Sequence, residues 1–280
     1  MAGISGSIKL RIHRSDGQTE EYQTGNAVTA SVATAIRSRM ISANTTYDAN
    51  CVPAKIEVTL SAAGGTASGV VAADPQYLAD SNGANAYTNS LVYKKNGLTF
   101  SSATGAQYVT KVELQSSGGT VVASQTSFTT IGGGSWDATT GFSSTDKLDV
   151  EYTLSFAHTN MGAVDGTDYN SALNAYRDNI MKNVIYGGTS YDIAINKATI
   201  GVDDGSSAEM PDFTLSENGT NVEANIVWSS VPGAQPDRIK VYTASGVLAG
   251  VFAIAGGEYD AVWASKDNVT APFAYTVSAS

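Results

Sequence analysis

Residues 26–58 read NAVTASVATAIRSRMISANTTYDANCVPAKIEV, and residues 170–202 read NSALNAYRDNIMKNVIYGGTSYDIAINKATIGV. Laid over each other without a gap, at an offset of 144, the two stretches share nine identical pairs among 33 positions. These are Asn26/Asn170, Ile36/Ile180, Ile41/Ile185, Thr45/Thr189, Tyr47/Tyr191, Asp48/Asp192, Ala54/Ala198, Ile56/Ile200 and Val58/Val202. Each stretch also carries an apolar row at spacing four: Val28, Val32, Ile36 and Met40, then Ala172, Tyr176, Ile180 and Val184. Positions four apart lie on one face of a helix, so each copy predicts one amphipathic helix with Val32, Ile36, Met40, Tyr176, Ile180 and Val184 in its core. Asn26, and Asp168 or Asn170, are the expected N-caps, because short side-chain oxygens accept the free amides of a first turn. A loop with Thr-(Thr/Ser)-Tyr-Asp follows each helix, and then a strand, AKIEVTL or KATIGV.

The echo continues downstream while the offset falls. Phe100-Ser-Ser and Gly105-Ala-Gln meet Trp228-Ser-Ser and Gly233-Ala-Gln at 128. KVEL from Lys111 meets the stretch around Lys240 at 127, and VEYTLS from Val150 meets FAYTVS from Phe273 at 123. Shortening is confined to glycine-rich loop sequence, where a change of length costs little. Alternating runs such as SLVYKK, TKVELQ, TVVASQTSF and LDVEYTLSFA, then DFTLSE, EANIVWSS, RIKVYTA, GVLAGVFAI, YDAVWA and FAYTVSA, read as strands separated by turn residues. A further hairpin, residues 7–24 with Asp16-Gly17 in its turn, belongs to the first copy alone. The predicted fold is therefore mainly β (α+β): two tandem homologous domains, 1–160 and 161–280, each a β-sandwich-like sheet structure with one amphipathic helix.

Composition narrows the function. The 280 residues carry a net charge of −10 and only 15% charged residues, with 28 glycines. An acidic chain lacks the clustered Lys and Arg that track a phosphate backbone, so nucleic acid is not an expected partner. Lys9, Arg11, His13 and Arg14 alternate along a strand with Glu20 and Glu21 across the turn, which reads as cross-strand charge pairing. Cys51 is the single cysteine, which excludes an intrachain disulfide and fits synthesis in a reducing cytoplasm. The N-terminus lacks the apolar core of a secretory signal, and the longest apolar run, from Val247, is too short to span a bilayer; no membrane is expected.

Few residues point to catalysis. His13 and His158 are the only histidines, and neither recurs in the second copy. Tyr47-Asp48 and Tyr191-Asp192 do recur, but an Asp between helix and strand ordinarily binds backbone amides in an Asx turn, with the tyrosine packed over the helix end. They are read as a repeated structural loop. The acidic runs at Asp203 and Asp165 lack the spaced ligands of a calcium-hand loop, and the glycines of IGGGSWD, from Ile131, precede no lysine-bearing helix start. No catalytic residue, metal or cofactor is expected. Trp136 and Trp263 are the candidate surface-binding aromatics, suited to a sugar platform, and Trp228 is expected in the core.

Residues 22–42, YQTGNAVTASVATAIRSRMIS, resemble the opening of small tailed-bacteriophage virion proteins of tails, necks and fibres. In that group a similar Asn-x-(apolar)-Thr helix precedes a compact β-sandwich. The resemblance extends over some 35 residues; where the group often has Gly-Thr-Gly after the next strand, this chain has TLSAAGG and GVDDG. It implies a structural component of a phage particle (tail, neck, fibre or capsid decoration), made in a host cytoplasm and located in the virion. The implied partners are other virion proteins and copies of the same chain. Two similar domains per chain would let a trimer present six quasi-equivalent domains, so a trimer is the expected form. A receptor- or carbohydrate-binding module that meets a host glycan is the alternative, and a carboxylate-based glycan hydrolase a more distant one.

Overall fold

The computed structural model describes residues 2–42, 49–61, 66–70, 76–82, 86–126, 128, 141–159, 163–164, 167–168, 170–185, 187, 191–201, 207–210, 214–228, 238–253 and 269–279. The fold is mainly β, in several sheets with two short helices. In chain order the first half has β1 (Ala2–His13), β2 (Thr19–Val28), α1 (Ala30–Ile41), β3 (Pro53–Leu60), β4 (Thr66–Val70), β5 (Gln76–Asn82) and β6 (Ala86–Leu98). It continues with β7 (Thr104–Gln107), β8 (Val109–Ser116), β9 (Val121–Gln125), β10 (Phe142–Ser143) and β11 (Lys147–Thr159). The second half has β12 (Ala163–Val164), β13 (Thr167–Asp168), α2 (Asn170–Ile180) with a π-helical turn over Met181–Ile185, and β14 (Ile195–Gly201). Then come β15 (Ser207–Met210), β16 (Thr214–Asn218), β17 (Asn221–Trp228), β18 (Arg238–Thr243), β19 (Leu248–Ala253) and β20 (Val269–Ala279).

Strand β1 organises the largest sheet. Its period-two pattern buries Ile4, Ile8, Leu10 and Ile12 on one face. Lys9, Arg11 and His13 take the other face, where Glu21 receives Lys9 at 2.8 Å and Arg11 at 2.7 Å and Asp149 receives His13 at 2.8 Å. β11 runs antiparallel along the whole of one β1 edge, from Ala2↔His158 to His13↔Lys147. The other edge is divided: β2 takes Gly6 to His13, and β20 pairs in parallel with Ala2, Gly3 and Ile4. The order β5-β6-β11-β1-β20-β17-β16 therefore joins strands of both halves through β1.

The same ladders occur in both halves. Pro53↔Ser116, Lys55↔Gln115, Ile56↔Leu114 and Val58↔Val112 in the first have counterparts in Ile195↔Thr243, Lys197↔Tyr242, Ala198↔Val241 and Ile200↔Ile239, down to the bulge after the first pair. β8 and β9 pair Gln115↔Val121, Leu114↔Ala123 and Glu113↔Ser124, and β18 and β19 pair Tyr242↔Leu248, Val241↔Gly250 and Lys240↔Val251, every residue offset by 127. The turns agree as well. Ser116 N–H donates to Thr120 O at 2.8 Å and Thr243 N–H to Val247 O at 3.0 Å, and Gly119 and Gly246 both have φ of 84°. Finally, Tyr93↔Tyr152 and Lys95↔Val150 correspond to Val222↔Tyr275 and Ala224↔Phe273.

Three local expectations differ from this structure. Helix α1 starts after Thr29, because Val28 is still paired with Ala123 of β9 and Thr29 N–H and Oγ1 both donate to Val122 O at 2.9 Å. Val28 therefore leaves the helical row, and Asn26 is not the cap. Asn26 lies over Gly6, where an added Cβ would come within 2.1 Å of its Oδ1, and its Nδ2 donates to the Tyr152 hydroxyl. Second, Asn170 is the first helical residue of α2, and Asp168 belongs to β13. Third, β3 superposes on β14 at an offset of 142 in ladder register, not 144. A shift of two keeps each side chain on its face, so the apolar alternation fits either register.

One hydrophobic core runs through both halves and contains Val32, Ile36 and Met40 of α1 together with Tyr176, Ile180 and Val184 of the α2 segment. Helix α1 packs on β16, β17 and β20 of the second half, while α2 and its π turn pack on β6 of the first half as well as on β19.

Candidate functional site

The residues expected to carry surface function fall unevenly. Tyr47, Asp48, Trp136 and Trp263 lie outside the described residues, as do the acidic runs at Asp165 and Asp203 and the side chain of Trp228. Tyr191 and Asp192 lie between the π turn and β14. Asp192 Oδ1 accepts the Ala194 amide at 3.1 Å, an Asx turn. Tyr191 lends its carbonyl to Asn183 Nδ2 at 2.5 Å and its ring to Lys182 Nζ, 5.4 Å from the centroid, so both residues fasten the end of the helix. The six helix-core residues are all buried.

The histidines sit at opposite ends of the β1–β11 ladder: His13 of β1 is paired with Lys147, and His158 of β11 with Ala2. His13 Nε2 meets Asp149 Oδ2 at 2.8 Å on the open face of the sheet. Cys51 is buried, and its thiol Sγ lies 3.8 Å from Ser31 O. Among the described residues there is no group of three or more His, Cys, Asp or Glu side chains arranged to hold a metal ion, and no helix is long and apolar enough to cross a membrane.

A depression of about 300 Å³ lies at the β1–β2 turn and is lined by Arg14, Asp16, Gln18, Glu20, Ser143 and Asp146. Arg14 is its centre. Nε donates to Glu20 Oε1 at 2.8 Å, and Nη1 to Gly141 O at 2.8 Å and Asp146 Oδ2 at 3.0 Å; the guanidinium also lies 5.8 Å from the centroid of the Phe142 ring. Asp146 further accepts the amides of Ser143 at 2.9 Å and Ser15 at 3.2 Å. Glu20 accepts the Tyr22 hydroxyl at 2.9 Å. The Arg14 hydrogen bond, working against burial, holds the Glu20 carboxyl below its ordinary value. Burial pushes Asp146 up, but the Ser143 amide and Arg14 outweigh it and the net shift is downward. Burial and the bond to Glu20 push the Tyr22 hydroxyl up to about 12.

Two carboxylates tied to one guanidinium are held ionised, so neither is a proton donor near neutral pH. The arrangement is a clasp that fixes the first hairpin to the start of β11. The sequence placed Arg14 opposite Glu20, since the two flank one turn. Asp146, 132 positions away from Arg14, carried no local signal. The chain matches no known protein family, no curated protein sequence and no solved structure.

Proposed function

We propose that the chain is an internal duplication, with copies over 1–160 and 161–280, and that it serves as a structural component of a tailed-phage particle in a tail, neck, fibre or capsid-decorating position. It acts by protein–protein assembly with other virion proteins and with copies of itself, as a homo-oligomer, a trimer in its simplest form. It is made in a host cytoplasm and ends in the virion. The observation that carries the reading is the recurrence of one ladder set at offsets that only fall along the chain, from 142 at β3/β14 to 127 at β8/β18 and 123 at β11/β20. A subunit built of like halves offers like surfaces, which is what repeated assembly contacts use. The resemblance over residues 22–42 supports the particle, and the Arg14 clasp, with its hydrogen-bonding groups turned on each other, supports a structural part over a reactive one.

The test is disruption of the coding sequence in the particle that contains this chain. Failure to assemble a particle agrees with the proposal. A complete particle that no longer attaches to its host would replace it with a receptor- or glycan-binding role.

A further inference from the structure

We infer that the two halves dock on each other as an isologous pair, so that the surface of α1 and the surface of α2 are the two sides of one self-complementary interface. This rests on the duplication proposed above. In an isologous contact, equivalent residues meet at the symmetry axis and every other contact occurs twice with the partners exchanged. Arg39 and Asn183, which the helix alignment makes equivalent at an offset of 144, touch: Arg39 Nη1 donates to Asn183 Oδ1, with both residues buried.

Contacts of each helix with the other half's sheet flank that point, reciprocal by element and made by different residues on the two sides. From α1, Arg37 Nε reaches Glu217 Oε1 of β16 at 2.6 Å and Nη1 reaches Val277 O of β20 at 2.7 Å. From the α2 segment, Asp178 accepts Asn89 Nδ2 of β6, and Ile185 O accepts the Tyr93 hydroxyl at 3.2 Å. β6 and β17 are counterparts in register, and each packs against the helix of the opposite half, β17 against α1 and β6 against α2.

The strands obey the same axis. β11 is antiparallel to β1 and β20 parallel to it, so the counterparts β11 and β20 run in opposite directions on either side of β1, as a dyad requires. Only one strand fits on such an axis, which accounts for a single β1 serving both halves. The partner that this interface fits is thus another copy of the half-chain, and the covalent chain supplies it internally. An isologous contact closes on itself, so any larger assembly must use other surfaces.

The test uses the full chain with a protease site inserted between Met161 and Gly162, cut after folding. The cut halves are expected to elute together and to unfold in one transition. Arg37→Ala and Asn89→Ala, which weaken the interface from opposite sides, should each raise the concentration at which the cut halves separate by about tenfold, the equivalent of ~1.4 kcal/mol. Cut halves that separate at micromolar concentration and melt independently would overturn the docking while leaving the duplication standing. Hydrogen-exchange patterns that differ between hairpins 109–125 and 238–253 would instead undo the duplication, and with it the isologous form.

Discussion

Arg39 Nη1 donates a hydrogen bond to Asn183 Oδ1 across the two halves, between positions 144 residues apart, and both side chains are buried. Removing one partner of a buried charged donor leaves a desolvated group short of an acceptor, which costs more than the net value of the bond itself. Asn183→Leu should therefore lower stability by about 1–3 kcal/mol. Chemical denaturation followed by circular dichroism measures this. Because the bond spans the halves, the loss should appear as a shift of one common transition.

Ile36 belongs to α1, yet α1 packs on β16, β17 and β20. A carboxylate at this fully buried position costs several kcal/mol, roughly the margin of a small domain. Ile36→Asp should raise amide exchange in β17 and β20 as much as in β3 and β8. Exchange confined to the first half would show that the halves fold independently.

Gly119 and Gly246 share a φ of 84°, and in each case an added Cβ meets nothing within 4 Å. The cost of Gly119→Ala and of Gly246→Ala is then backbone strain alone, roughly 1–2 kcal/mol for a left-handed residue with a Cβ. Paired thermal melts of the two variants should give equal losses, because the two hairpins are alike in register and turn.

Glu20 and Asp146 have carboxyls held below their ordinary values in the folded chain. A depressed folded value adds stability that is present above the unfolded value, about pH 4, and is lost as the pH falls through the folded one. Arg14→Leu should flatten the decline of melting temperature between about pH 5 and pH 2, besides lowering it at pH 7. An unchanged acid limb would mean that the clasp contributes nothing to folding.

Much of the fold was legible because it obeys local periods. The period-two runs of β1, β8 and β11 and the four-residue rows of the two helices each bury one face, and burial is what those patterns encode. The start of α1 was misread because Val28 fits the helical row as well as it fits the last ladder pair with Ala123, and only the position of β9 decides between them. Asn26 looked like a cap for the same reason, while its place is set by Gly6 and Tyr152. The two-residue step between α1 and β3 was hidden by identities that a strand tolerates in either register. The packing of α1 on β16, β17 and β20 and of α2 on β6 had no trace in the sequence, since an apolar stripe states that something covers it and not which strand. The Arg14 clasp was half legible for a similar reason: Glu20 is its neighbour in the hairpin, and Asp146 arrives from the far end of the first half.

The measurement that tests the proposed role most directly is the mass of the full chain in solution, by light scattering over a wide range of concentrations. The account predicts a discrete homo-oligomer, three chains in the simplest case, that persists on dilution. A monodisperse monomer at every concentration would contradict it.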